Sequence, residues 1–159
     1  MLKMNLKGIL EKTISVEEYI EKMASPFKEN FLRTKKVYRL NEVVVSELKR
    51  FSNDFFVIVF SAEWCKDCAA NVPVLALLSN EAGLRVNVFG GLKTNPLNNR
   101  DKWRVPPSPE EVNVFNVQKI PHIMILGKEG KHVGTIIEKP QAGKTLEEEI
   151  LQILKTHKR

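Results

Sequence analysis

At 159 residues, 43% of them hydrophobic, the chain has the length of one compact domain and enough apolar material to bury a core without disulfide staples. Its formal charge of +6 comes from 25 basic residues scattered among 19 acids, with no basic run interleaved with aromatics, which argues against nucleic acid as a partner. No stretch approaches the roughly 18 to 20 continuous apolar residues that span a bilayer, and the lysine-bearing N-terminus never sustains the apolar core of a secretory signal; no membrane partner and a cytoplasmic location are expected.

Taken in chain order, Ser15 with Glu18 has the form of a capping box and predicts a helix to about Met23, and Ser25-Pro26 predicts the start of a second through FKENFLRTKK. These helices form a predicted N-terminal extension over residues 1–36, ahead of a domain over residues 37–159. The stretch VYRL reads as a short edge strand or a linker. Asn41 then caps a helix with Val44, Leu48 and Phe51 at helical spacing, ended by SND.

Phe55 to Phe60 is rich in β-branched and aromatic residues without polar alternation, the pattern of a strand covered on both faces in a largely parallel sheet. From about Cys65 to Ser79, Val72, Leu75, Ala76 and Leu78 predict a helix, with Pro73 removing one hydrogen bond and Gly83 ending the unit. LRVNVF, Leu84 to Phe89, is the next strand. Gly90 to Pro109, with four prolines, is the longest irregular connection, and its NNRDKWR carries Arg100, Lys102, Trp103 and Arg104. Ser108, Pro109 and Glu111 begin a short helix. HIMIL and HVGTII are two strands joined through a turn at Lys128 to Lys131. Thr145 with Glu148 is a further capping box, and Leu146, Ile150, Leu151 and Leu154 give the last helix one apolar face.

Cys65 and Cys68 are the only cysteines of the chain. In a reducing compartment so close a pair is more often redox-active or metal-binding than a structural brace. A zinc site would need further donors from His122, His132 or carboxylates at atypical spacing, so neither a metal nor another cofactor is expected. Thiol–disulfide exchange needs one thiolate to attack and a second thiol to release the mixed disulfide, and two cysteines one helical turn apart supply both.

At a helix N-terminus Cys65 faces unpaired backbone N–H groups and the positive end of the helix dipole, which stabilise a thiolate by up to ~2 kcal/mol and lower a pKa of ~8.5 by roughly a unit. Cys65 is accordingly the expected nucleophile, exposed to solvent, and Cys68, one turn inward, the resolving residue. Lys66 favours the thiolate and Asp67 opposes it. His122 either lies near the thiols or is turned away by strand alternation.

A strand, then AEWCKDC opening a helix, then Pro73 five residues beyond the second cysteine, then KIPHIMIL before a hairpin and a terminal helix: this order resembles thioredoxin, over roughly Val37 to Lys155. The chain looks like a prokaryotic thioredoxin-family protein with a helical N-terminal extension. The resemblance implies an α/β thioredoxin-like fold, with a central mixed sheet flanked by helices. It implies a thiol–disulfide oxidoreductase acting on protein or peptide disulfides as a cytosolic reductant, regenerated by an external thiol reductant or reductase.

In the same resemblance Pro121 takes the place of the cis-proline facing the cysteines, the backbone of Ile120 is left to pair with an extended substrate segment, and Trp64 flanks the site as an apolar contact. Val59 stands where thioredoxin carries a buried aspartate, and the lysine partner of that aspartate is missing near Phe89. Proton transfer at Cys68 then falls to water, Glu63 or Asp67. A second function class is a thioredoxin-fold binding or adaptor module in which the cysteine pair is not required. A thiol peroxidase would need a Thr/Ser-rich pocket and a following arginine that AEWCKDC lacks.

Overall fold

The computed structural model describes residues 3–92 and 108–157. Most of the connection between Gly90 and Pro109 falls outside the described residues, and with it Arg100, Lys102, Trp103 and Arg104. The elements in order are α1 (Leu6–Glu11), β1 (Ile14–Ser15), α2 (Val16–Glu21), α3 (Phe27–Val37), α4 (Glu42–Leu48) running into a 3-10 turn (Lys49–Phe51), β2 (Phe55–Phe60), α5 (Lys66–Ala82), β3 (Arg85–Phe89), α6 (Glu111–Val114), β4 (His122–Gly127), β5 (His132–Ile137) and α7 (Leu146–His157).

The strands form one mixed sheet in the order β1-β3-β2-β4-β5. β2 lies at its centre, parallel to β3 and antiparallel to β4, and β1 and β5 are antiparallel edges. The unbroken apolar run of β2 has its cause here: five of its six side chains are buried, because helices cover both faces of a central strand. The sheet and helices constitute a thioredoxin-like fold.

Local chemistry sets the helix ends. Asn41 accepts hydrogen bonds from the N–H groups of Val43 and Val44 at the start of α4. Thr145 and Glu148 form a complete capping box on α7, each side chain taking the other's backbone N–H, at 2.8 and 3.1 Å. Gly83 ends α5 in the left-handed region at φ 74°, as read from the sequence, and the helix runs on past Ser79 to Ala82. Pro73 sits inside α5, which continues through it. The β4–β5 turn uses Gly130 at φ 85°, where a side chain would also run into the Met4 carbonyl.

The N-terminal residues depart from the sequence expectation in two respects. α1 precedes the predicted helices, and Ile14 and Ser15 pair with Val88 and Asn87 as an edge strand that the capping-box pattern concealed. Ser15 is both: it ends β1 and caps α2 by accepting the Glu18 N–H at 3.2 Å. Of the two readings of VYRL, an edge strand or a linker, the linker describes the structure: Val37 ends α3 and Tyr38 to Leu40 are irregular. Val16, Tyr19, Ile20 and Phe31 join the same hydrophobic core as β2 and α5; α3 packs along α5. A boundary after residue 36 falls within the last turn of α3.

Candidate functional site

The two cysteines lie where β2 hands the chain to α5, across Ser61 to Trp64. Cys65 is the N-cap residue of α5, with extended backbone angles, and Cys68 lies in the first turn. An N-cap side chain normally satisfies an orphan N–H with oxygen. Here sulfur does so: the Cys68 N–H donates to Cys65 Sγ at 3.1 Å. The Cys65 thiol in turn points at the Ile120 carbonyl, 3.7 Å away.

Both cysteines are free thiols, in unlike environments. Cys65 keeps 9% of its surface exposed and Cys68 none, so the expected nucleophile is more covered than its N-cap position suggested. The Cys65 pKa is held below the ordinary thiol value, first by a hydrogen bond from the Cys68 side chain and then by the Cys68 backbone N–H, against partial desolvation and the charge of Asp67. Burial pushes the Cys68 thiol up, and the hydrogen bond and charge of Cys65 add to that rise. Smaller contributions from the Ala62 backbone and the Ser61 hydroxyl work the other way. One helical turn thus yields one sulfur disposed to ionise and one disposed to keep its proton.

Trp64 is 46% exposed and its indole N–H donates to the Leu92 carbonyl at 3.3 Å, which ties the exposed ring to the segment after β3. Ile120 and Pro121 are buried, and the peptide bond between them is cis. The ladder pairing of β4 begins at His122, so Ile120 stands beyond its end while its carbonyl faces Cys65. The structure therefore brings Cys65, Cys68 and Ile120 together, with Trp64 next to Cys65 in the chain and Pro121 next to Ile120.

His122 is not part of this cluster. Its ring stands edge-on to Phe60 at 5.7 Å, its Nδ1 has no hydrogen-bond partner among the described residues, and burial lowers its pKa to about 4. Val59 is fully buried opposite Ile123 and Val88. Among the described residues no three His, Cys, Asp or Glu side chains converge as metal ligands would, and no helix is long and apolar enough to cross a membrane.

Two polar side chains near the cysteines went unnoticed in the sequence. Ser61 is fully buried directly after β2, and its hydroxyl lies 3.0 Å from the phenol of Tyr19, contributed by α2. Ser61 carried a faint signal, as a single hydroxyl between the apolar run of β2 and the cysteine motif. Tyr19 carried none, being 46 residues away from Cys65 and brought near only by the docking of α2.

A family model described as thioredoxin matches residues 13–96, more than half of the chain, from β1 through both cysteines. The chain belongs to the thioredoxin family. Two solved structures share the thioredoxin fold of the whole chain at low identity. A protein of unknown function from Pseudomonas aeruginosa superposes with a TM-score of 0.73 at 14% identity, covering 99% of each chain. An HIV epitope-scaffold gives 0.70 at 13% identity, covering 94% of this chain and 97% of its own. Among curated proteins none matches this thioredoxin-family sequence. Membership of the family, with a cysteine pair at CxxC spacing, gives the chain a general thiol-redox character.

Proposed function

We propose that the protein is a thiol–disulfide oxidoreductase acting on protein or peptide disulfides, with Cys65 as nucleophile and Cys68 as resolving thiol. The observation that carries this reading is the opposite treatment of the two sulfurs. Cys65 receives the Cys68 N–H at the start of α5 and its pKa is held below the ordinary thiol value, whereas Cys68 is buried one turn further in and its pKa is pushed up.

In the first step the Cys65 thiolate attacks a substrate disulfide, forming a mixed disulfide and releasing one substrate thiolate. In the second, Cys68 attacks Cys65, the mixed disulfide breaks, and the second substrate sulfur leaves. Two electrons have passed to the substrate, and the Cys65–Cys68 disulfide awaits an external thiol reductant or reductase. Trp64 supplies exposed apolar surface for the substrate chain, and Ile120 and Pro121 form the opposite wall, where backbone beyond the β4 ladder can align an extended peptide. In this reading residues 37–159 carry the chemistry and residues 1–36 complete the core behind it. In a reducing cytoplasm the dithiol is the resting form and the protein acts as a reductant.

The direct test joins a reduction potential for the pair to reduction of insulin disulfides. About 1.4 kcal/mol of differential stabilisation shifts a two-electron couple by ~30 mV, so the potential also reports the direction of electron flow. Wild type should show a reversible disulfide and precipitate insulin, and Cys65→Ser should do neither. A pair that forms no reversible disulfide would overturn the proposal and leave a binding module as the function of the fold.

A further inference from the structure

The Cys65 sulfur and the Ile120 carbonyl stand 3.7 Å apart, yet they belong to different parts of the chain: Cys65 caps α5, and Ile120 lies in the segment that leads into β4. Their spacing is only as fixed as the contact between that segment and α5. One side chain links the two. Asn71, a turn beyond Cys68 in α5 and 7% exposed, donates from its Nδ2 to two carbonyls at once, that of Asp67 at 2.9 Å and that of Glu138 at 3.1 Å. Both acceptors are backbone oxygens, so only the amide nitrogen can face them, and this sets the orientation of the side chain. Glu138 directly follows β5, and its own N–H donates to the Pro121 carbonyl at 2.8 Å. A continuous path of hydrogen bonds thus runs from the cysteine helix through Asn71 and Glu138 to the residue after Ile120.

The backbone of Glu138 is bent to make these bonds. Its φ of 68° lies in the left-handed region, which residues with a side chain seldom adopt. The Lys139 N–H closes the bend on the Ile137 carbonyl at 2.8 Å. Such a conformation persists where its surroundings hold it, and here the N–H and the carbonyl of the same residue are both held. The Glu138 carboxylate also reaches Lys119 at 3.5 Å, but this pair is exposed and adds little. We propose that Asn71 is a positioning residue: through the Glu138 backbone it holds the Ile120–Pro121 segment at a set distance from Cys65, so that a polypeptide disulfide is aligned for attack. The inference rests on thiol–disulfide exchange at Cys65 and on Ile120 and Pro121 as a wall of the substrate site. Asn71 touches no reacting atom. A small disulfide needs only the Cys65 sulfur, whereas an extended chain must meet the sulfur and the Ile120 backbone together, so the brace acts on the second class of substrate alone.

The test compares two substrates. Reduced protein is reacted with dithiobis(nitrobenzoate), a small disulfide, and with insulin, a polypeptide one, and the quotient of the two rate constants is the readout. Asn71→Leu keeps a side chain of similar size and removes the donor. It should react with dithiobis(nitrobenzoate) within about twofold of wild type and with insulin roughly tenfold more slowly. Asn71→Ser retains one donor but is too short to bridge two carbonyls, and it should shift the quotient in the same direction. Where circular dichroism shows Asn71→Leu misfolded, Asn71→Ser carries the comparison. Tyr38→Phe, which removes a hydrogen bond to Glu147 between the α3–α4 connection and α7, should lower stability and leave the quotient unchanged. An unchanged quotient in a folded Asn71 variant would overturn the brace, and so would an equal loss on both substrates, while the wild-type reaction still upheld the exchange chemistry. A wild type that reacts with neither disulfide would instead overturn the exchange chemistry itself, and the brace with it.

Discussion

The backbone N–H of Cys68 points at the sulfur of Cys65 from 3.1 Å, so that the residue capping α5 is also the residue whose ionisation the cap favours. The Cys65 thiolate should therefore persist below the pH at which an ordinary thiol, with a pKa of ~8.5, loses it. The pH profile of iodoacetamide alkylation at Cys65 should have its midpoint below that value. Cys68→Ala removes the strongest of the favourable contacts and should move the midpoint up, whereas Asp67→Asn removes an opposing charge and should move it down. A midpoint indifferent to both changes would contradict the electrostatic account of the pair.

His122 should make the fold acid-sensitive. Burial, with a smaller contribution from the charge of His132, lowers its pKa to about 4 from 6.5 in the unfolded chain. Between those values the unfolded state binds more protons than the folded one, so stability rises with pH across the window and is lost as pH falls from 6.5 through 4. The full difference is about 3 kcal/mol at most, by the equivalence of one pKa unit to ~1.4 kcal/mol. Urea unfolding at a series of pH values should show this slope in wild type and a flatter one in His122→Phe.

Glu147 is fully buried in α7, where its carboxyl accepts the Tyr38 hydroxyl at 2.7 Å and the Asn41 N–H at 3.0 Å. It ties the irregular segment before α4 to the last helix. Glu147→Ala leaves both donors without their acceptor and should cost about 2–4 kcal/mol, and Tyr38→Phe about 1 kcal/mol. Denaturant titration of the two single variants and the double should reveal coupling, since the second loss is smaller once the first is made. Full additivity would show that the hydrogen bond contributes nothing.

Removing residues 1–36 should abolish folding rather than trim an appendage. Val16 and Phe31 are fully buried, Tyr19 and Ile20 nearly so, and β1 covers the edge of β3. Each large apolar side chain contributes roughly 1.5–3 kcal/mol when fully buried, and four of them together rival the 5–15 kcal/mol net stability of a whole domain. Circular dichroism and thermal unfolding of the truncated chain check this; a cooperative transition near that of the full chain would refute it.

Much of the fold was legible in the chain because its signals are local. The apolar run of Phe55 to Phe60, the caps at Asn41 and Thr145, and the glycine after α5 each act through residues a few positions apart, and each appears where it was read. The placement of two cysteines at a helix N-terminus was legible for the same reason, as was Trp64 beside them. β1 was not, because a two-residue strand owes its existence to pairing with Val88 and Asn87 more than 70 residues away and carries no pattern of its own.

Hydrophobic period, turn residues and capping chemistry are short-range properties, so the chain alone carries its main strands and helices and a pair of thiols one helical turn apart, while the sheet they build was implied by the resemblance to thioredoxin. Tertiary packing alone decided what surrounds those thiols: how far Cys65 is covered, the Ile120 carbonyl facing it, the turning of His122 onto Phe60, and the approach of Tyr19 to Ser61. Those outcomes depend on which side chains α2 and β4 bring to the end of β2, and burial and hydrogen bonding between elements distant in sequence exist only once the core has closed.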